Sequence, residues 1–163
     1  MRALLWQIRA WGVILGQMVG DNDVDELRGR VTRDGIRIYE DADFAGMRTA
    51  GRIAAEILDM VIPLVQVGVT TASIDDFIRE EVDRRGVVSA TIGYRGYQHA
   101  SCISVNHVVC HGIPGSKVLA SGDILNIDVT VIVDGWFGDT SRMYVAGDLS
   151  RKAERLIDVT HEC

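Results

Sequence analysis

The stretch Ile124-Leu125-Asn126-Ile127-Asp128-Val129-Thr130-Val131-Ile132-Val133-Asp134-Gly135-Trp136-Phe137-Gly138-Asp139-Thr140-Ser141-Arg142-Met143-Tyr144-Val145 decides the fold. Residues 124–133 are apolar and rich in β-branched side chains, interrupted only by Asn126, Asp128 and Thr130, which reads as a strand. Asp134-Gly135 is a two-residue hairpin signal, and the return strand runs from Trp136 to Val145. A turn of that length sets the register: Val133 faces Trp136, Thr130 faces Asp139 and Asp128 faces Ser141. Side chains alternate with period two, so Asp128, Thr130, Asp139 and Ser141 share one face. Asp128 and Asp139 become diagonal neighbours, with Cβ atoms within about 8 Å. Two carboxylates this close repel, and one is pushed toward protonation. A divalent cation between them converts the repulsion into binding. From these residues alone, a solvated polar face of an antiparallel hairpin stays open as the alternative. Gly138 marks a place where another backbone approaches closely.

Upstream, the pattern is that of an α/β unit. Ile36 to Tyr39 alternates weakly, as a short strand does. Asp43 is a candidate cap for a helix reaching Val61, with Phe44, Met47, Ala50, Ala54, Ile57, Leu58 and Val61 at helical spacing. Pro63 and Val67-Gly68-Val69-Thr70 punctuate it. Thr71 or Ser73 is expected to cap a second helix, Ile74 to Arg85, with Ile74, Phe77, Ile78 and Val82 on one stripe and Gly86 as its stop. Beyond Gly86 the sequence turns to strands and loops. Cys102 to Val105 alternates, Asn106-His107 is a turn, and His111-Gly112-Ile113-Pro114-Gly115 is a stiff loop, with Cys110 just before it expected to be buried. A final helix opens at Ser150.

The 163 residues are 47% hydrophobic and 25% charged, the mix of one globular domain. Lys+Arg 17 against Asp+Glu 23 gives a net charge of -6, which argues against a nucleic-acid partner. Three cysteines without a CxxC point to a reducing, cytoplasmic setting. Residues 1–20 are apolar-rich, but Arg9 splits the run well short of a membrane span and no small-x-small cleavage site follows. A surface helix or an extension from an upstream start is the expected reading there, and residues 21–35 read as a linker.

Cys102-Ile-Ser-Val-Asn-His-Val-Val-Cys-His111-Gly-Ile-Pro114, Gly122-Asp-Ile-Leu-Asn-Ile-Asp128-Val-Thr and Asp134-Gly-Trp-Phe-Gly-Asp139-Thr-Ser together resemble type I methionine aminopeptidase. Gly93-Tyr94-Arg95-Gly96-Tyr97 and the Gly68-Val-Thr-Thr helix start resemble it too. The resemblance covers residues 33–163, leaving 1–32 as an extension of unknown role. It implies the amino-terminal half of a pita-bread (creatinase/aminopeptidase) fold, an antiparallel sheet covered by helices. It further implies a metallohydrolase that removes the initiator methionine from nascent polypeptides. Carried over, Asp128 corresponds to the carboxylate that chelates one metal and Asp139 to the one that bridges two. His111 corresponds to the imidazole that contacts substrate and stabilises the tetrahedral intermediate, and Tyr94, Tyr97 and Cys102 to positions lining the methionine pocket. Two divalent ions per complete site are implied, with Co, Mn, Fe or Zn all suited to oxygen donors.

Some residues depart from that pattern. His107 stands where the family has an acidic residue, and Gln98 where it has proline. In the family a second half supplies a histidine and two glutamates as further ligands and another histidine near substrate. His161-Glu162 cannot form His-Glu-x-x-His, and His99 and His107 fall outside the ligand pattern. The resemblance therefore predicts a truncated chain that is inactive alone. Its partners would be a Met-initiated peptide and a complementing carboxy-terminal half or a second copy, with no nucleic acid and no membrane. The other functional class is a non-catalytic interaction protein that keeps half the fold. Related enzymes acting on proline peptides or creatine are disfavoured by Tyr94, Tyr97 and the His111 loop. A half-fold also predicts exposed apolar surface around Val129, Val131 and the terminal helix.

Overall fold

The hairpin forms as its sequence dictates. The computed structural model describes residues 29–163; the readings of residues 1–20, and of the linker as far as residue 28, lie outside them. Strand β5 (Asp123–Val133) and strand β6 (Trp136–Ala146) pair antiparallel over their whole length, with Val133 opposite Trp136, Thr130 opposite Asp139 and Asp128 opposite Ser141. Asp134 (φ 50) and Gly135 (φ 77) both take the left-handed conformation that a type I′ turn requires. Strands β3 (Val88–Ser89) and β4 (Ser101–Val105) also pair antiparallel with β5.

Before the sheet come strands β1 (Arg30–Val31) and β2 (Arg37–Ile38), a small antiparallel pair. Thus β2 falls within the expected strand, while β1 occupies residues read as linker. Helix α1 spans Asp41–Val61. Asp43 lies inside its first turn rather than before it, and its carboxylate accepts from the Glu40 N–H at 2.9 Å, a reach-back contact of the capping-box kind. Helix α2 spans Thr71–Arg84, so the cap is Thr70 and neither Thr71 nor Ser73; its hydroxyl accepts from the Ser73 N–H at 3.2 Å. Gly86 (φ 66) closes α2, with Gly86 N–H donating to Asp83 O and Val87 N–H to Val82 O, the two bonds of a Schellman end. Helix α3 spans Arg151–Glu162, capped by Ser150.

The core lies between the helices and one face of the sheet. Ala54, Ile57, Leu58 and Val61 of α1 and Ile74, Ile78 and Val82 of α2 cluster with Leu125, Ile127, Val129 and Val131 of β5. Val129 and Val131 are therefore fully buried, which corrects the expectation that they face solvent. They occupy the odd-numbered positions of β5, the side away from Asp128 and Thr130. Exposure at the chain's last helix is as expected: Leu156 and Val159 of α3 are open to solvent. Tyr144 ties β6 to α1 by donating its hydroxyl proton to Leu58 O at 2.6 Å.

One ion cluster secures the entry to β5. Asp123 accepts from the Ala120 N–H and from Asn106 Nδ2, and pairs with Lys117 Nζ at 3.0 Å. The Ala120 amide first, then Asn106 and Lys117, hold its carboxyl below the usual carboxylate value. A depressed folded value means that the contribution is present above the unfolded carboxylate pKa and disappears as pH falls through the folded one. Asp123→Ala should cost about 2 kcal/mol at pH 7, the scale for hydrogen bonds to a charged group. Urea midpoints between pH 7 and 2 should fall less steeply for the variant than for the parent; parallel curves would refute the assignment.

Candidate functional site

On the face opposite the core, β6, β5 and β4 bring two of the candidate site residues, Asp128 and Cys102, into one row with Ser141. Ser141, Asp128 and Cys102 are successive register partners across the three strands. Asp139 lies two pairs along, opposite Thr130, whose hydroxyl donates to Asp139 Oδ1 at 2.9 Å. The two carboxylates meet as the hairpin register requires. Asp128 is pushed up to about 6, by burial first and then by the charge of Asp139 and a hydrogen bond to it; the nearby His111 ring acts in the opposite direction. A carboxylate whose charge is disfavoured by burial and by a second carboxylate is one that a cation relieves.

Gly138 explains how Asp139 is placed. A Cβ there would sit 2.2 Å from the carbonyl carbon and oxygen of Ala50, so α1 backbone lies directly on β6. Trp136 lies over Gly46 in the same way. The small residues of α1 let the helix approach, and the approach orients the strand carrying Asp139.

His111 projects from the loop after β4 with φ 52, a left-handed conformation that non-glycine residues rarely hold. Its neighbour pins it. Gly112 N–H donates to Ser104 Oγ at 3.0 Å, Gly112 O accepts from the Ile103 N–H at 2.8 Å, and a Cβ on Gly112 would meet Ile103 O at 2.2 Å. The ring itself is exposed, while Pro114 behind it is buried. Cys110 is exposed, contrary to expectation, because the loop turns outward before Gly112 docks on β4.

Cys102 is half-buried and touches the Tyr97 hydroxyl. Burial pushes its thiol up, with Tyr97 acting against the shift, which disfavours a thiolate nucleophile there. Tyr97 donates its hydroxyl proton to Ser101 O at 2.8 Å, and its pKa is raised, by burial first. Tyr94 begins a 3-10 turn, Tyr94–Gly96, three residues before Tyr97. The structure thus brings Asp128, Asp139, His111, Cys102 and Tyr97 to one region. Pairing of Cys102 with Asp128 could not be read from the sequence, since it depends on the register of non-adjacent strands. Asp75 and Ser101, joined by two hydrogen bonds beside Cys102, were also missed; the only sign was a carboxylate beside the buried stripe of α2.

Residues 45–163 match the model of metallopeptidase family M24, and the chain belongs to that family. Over 127 residues it is 50% identical to a methionine aminopeptidase of Rickettsia prowazekii, which covers 78% of this chain and 49% of the relative. Over 129 residues it is 49% identical to the methionine aminopeptidase of Escherichia coli K12, with the same coverage. The crystal structure of the Rickettsia prowazekii enzyme superposes with a TM-score of 0.76, over 78% of this chain and 51% of that one. An X-Pro aminopeptidase from Thermotoga maritima, 15% identical, shares the fold with a TM-score of 0.64 over 77% of this chain and 34% of that one. The architecture is the half pita-bread fold expected from the sequence. The chain spans about half the length of the curated relatives it matches.

Proposed function

We propose that this chain carries the amino-terminal half of a methionine aminopeptidase centre, removing N-terminal methionine once further metal ligands are supplied. The observation that carries the reading is the Asp128–Asp139 pair, built by the hairpin register and strained by mutual repulsion. Its all-oxygen donor set fits a hard or borderline divalent ion such as Co, Mn, Fe or Zn. A pair of such ions would polarise the scissile carbonyl and acidify a water.

The chain's own residues do the rest. Asp128 and Asp139 hold the cations, with Thr130 orienting Asp139. His111, fixed by Gly112, donates a hydrogen bond to the substrate oxygen as negative charge builds on it. Tyr94, Tyr97 and Cys102 line a pocket for the methionine side chain, whose polarizable thioether suits aromatic and sulfur walls. Among the described residues, no group of three or more His, Cys, Asp or Glu converges on a cation position. Cation affinity of the chain alone is therefore weak, and the dinuclear centre needs donors from a complementing half.

Exposed Leu156 and Val159 of α3 offer apolar surface for that half or for a second copy. The same surface supports the alternative, a non-catalytic half-fold interaction protein. We place the protein in the cytoplasm on its cysteine usage; no helix among the described residues is long and apolar enough to cross a membrane.

Calorimetry with Mn²⁺ tests the pair. Asp128→Asn and Asp139→Asn should each weaken binding at least about ten-fold, the loss that even an outer-shell partner of a ligand brings. If both variants bind as the parent does, the hairpin is not the site.

A further inference from the structure

Asp75 of α2 is buried, and its carboxylate is met by three donors from one short segment. Oδ1 accepts from the Ser101 N–H at 2.9 Å and the Ser101 hydroxyl at 2.7 Å. Oδ2 lies 2.9 Å from His99 Nδ1, which bears the proton because a carboxylate can only accept. One turn further along α2, Arg79 donates to the Gln98 carbonyl, and Thr91 donates to the His99 carbonyl at 2.7 Å. The Tyr97 ring stands edge-on to the His99 ring, centroids 5.5 Å apart and planes 65° apart.

We propose that Asp75 and His99 are positioning residues that set the wall formed by Tyr97 and Cys102. The proposal rests on the pocket reading above. A buried carboxylate is costly unless every acceptor site is met. Here residues 99–101 supply three donors to it, so moving the segment would strip a buried charge of its partners. Tyr97 and Cys102 flank it on either side. Tyr97 is held from below by His99, and its hydroxyl is aimed at Ser101 O and Cys102. Cys102 follows Ser101 into β4 and is thereby held opposite Asp128. His99, which has no place in the ligand pattern, acquires a role through Asp75 and Tyr97.

The test uses the full chain with Cys110→Ser and Cys163→Ser, leaving Cys102 as its one thiol. The rate of Cys102 alkylation by iodoacetamide reports the wall, and the thermal midpoint reports the fold. His99→Ala should raise the rate about ten-fold, as expected for losing one charge-assisted hydrogen bond from a local closed state. His99→Asn, whose amide nitrogen can occupy the Nδ1 position, should return the rate to near the parent's. Both variants should keep midpoints close to each other. A His99→Ala rate equal to the parent's, or a His99→Asn rate as fast as His99→Ala, overturns the positioning role. Free L-methionine should slow the parent's alkylation. If it does not while the His99 pattern holds, the pocket reading fails and the positioning role stands.

Discussion

Gly138→Ala will destabilise the chain by about 3 kcal/mol, the upper range for forcing extra volume into a packed contact. The added carbon would lie 2.2 Å from the backbone of Ala50, and no side-chain rotation can relieve a clash with backbone. Either α1 lifts from β6 or the strand moves, and both displace Asp139. Gly51→Ala is the matched control: it sits one residue further along α1, its added carbon meets nothing within 4 Å, and it should stabilise by about 1 kcal/mol through helix propensity. Urea denaturation of both variants measures the contrast. Equal midpoints would mean that α1 does not press on Gly138, and the account of how Asp139 is placed would fall with it.

The second large effect concerns His111. In a complex completed by a separately expressed carboxy-terminal half of a related enzyme, His111→Ala should lower turnover of a Met-Ala peptide about 10²- to 10³-fold, the range for removing one oxyanion donor. Bound metal, read by elemental analysis, should be unchanged. Asp139→Ala should lose turnover and metal together. The contrast separates a group that stabilises charge on the substrate from one that holds the cation. Gly112→Ala should resemble His111→Ala with a smaller loss, because a Cβ meeting Ile103 O at 2.2 Å shifts the loop while leaving the imidazole present. Loss of metal in His111→Ala would assign that ring to the cation instead.

Local rules carried much of this fold. The register of β5 against β6 followed from one Asp-Gly turn and the period of two, and with it the meeting of Asp128 and Asp139. Helix ends were legible to within a few residues, since Thr70, Asp43 and Gly86 each satisfy backbone groups close in sequence. What the sequence did not reveal is non-local. Pairing of Cys102 with Asp128 depends on β4 finding β5 across the connection 106–122, which no turn dictates. Likewise, Val129 and Val131 could be assigned to a face but not to the covered one until α1 and α2 were docked on it. Cys110 is exposed although no cationic neighbour marks it as a reactive thiol, because the loop around it turns away from the core; Val109 is 93% exposed. The contacts of Asp75 were hidden for a similar reason, since that carboxylate becomes informative only when Ser101 and His99 arrive from another part of the chain.

The most direct measurement of the whole account is methionine release from a Met-Ala peptide, with excess Mn²⁺ or Co²⁺, by the purified 163-residue chain alone and with the complementing half. Catalysis by a dinuclear centre needs both ions held in fixed geometry, and two carboxylates do not hold them. The chain alone should release little or no methionine, and the complex should release it in a manner abolished by Asp128→Ala. Full activity from the chain alone, abolished by the same substitution, would contradict the account by showing that Asp128 and Asp139 need no further donors.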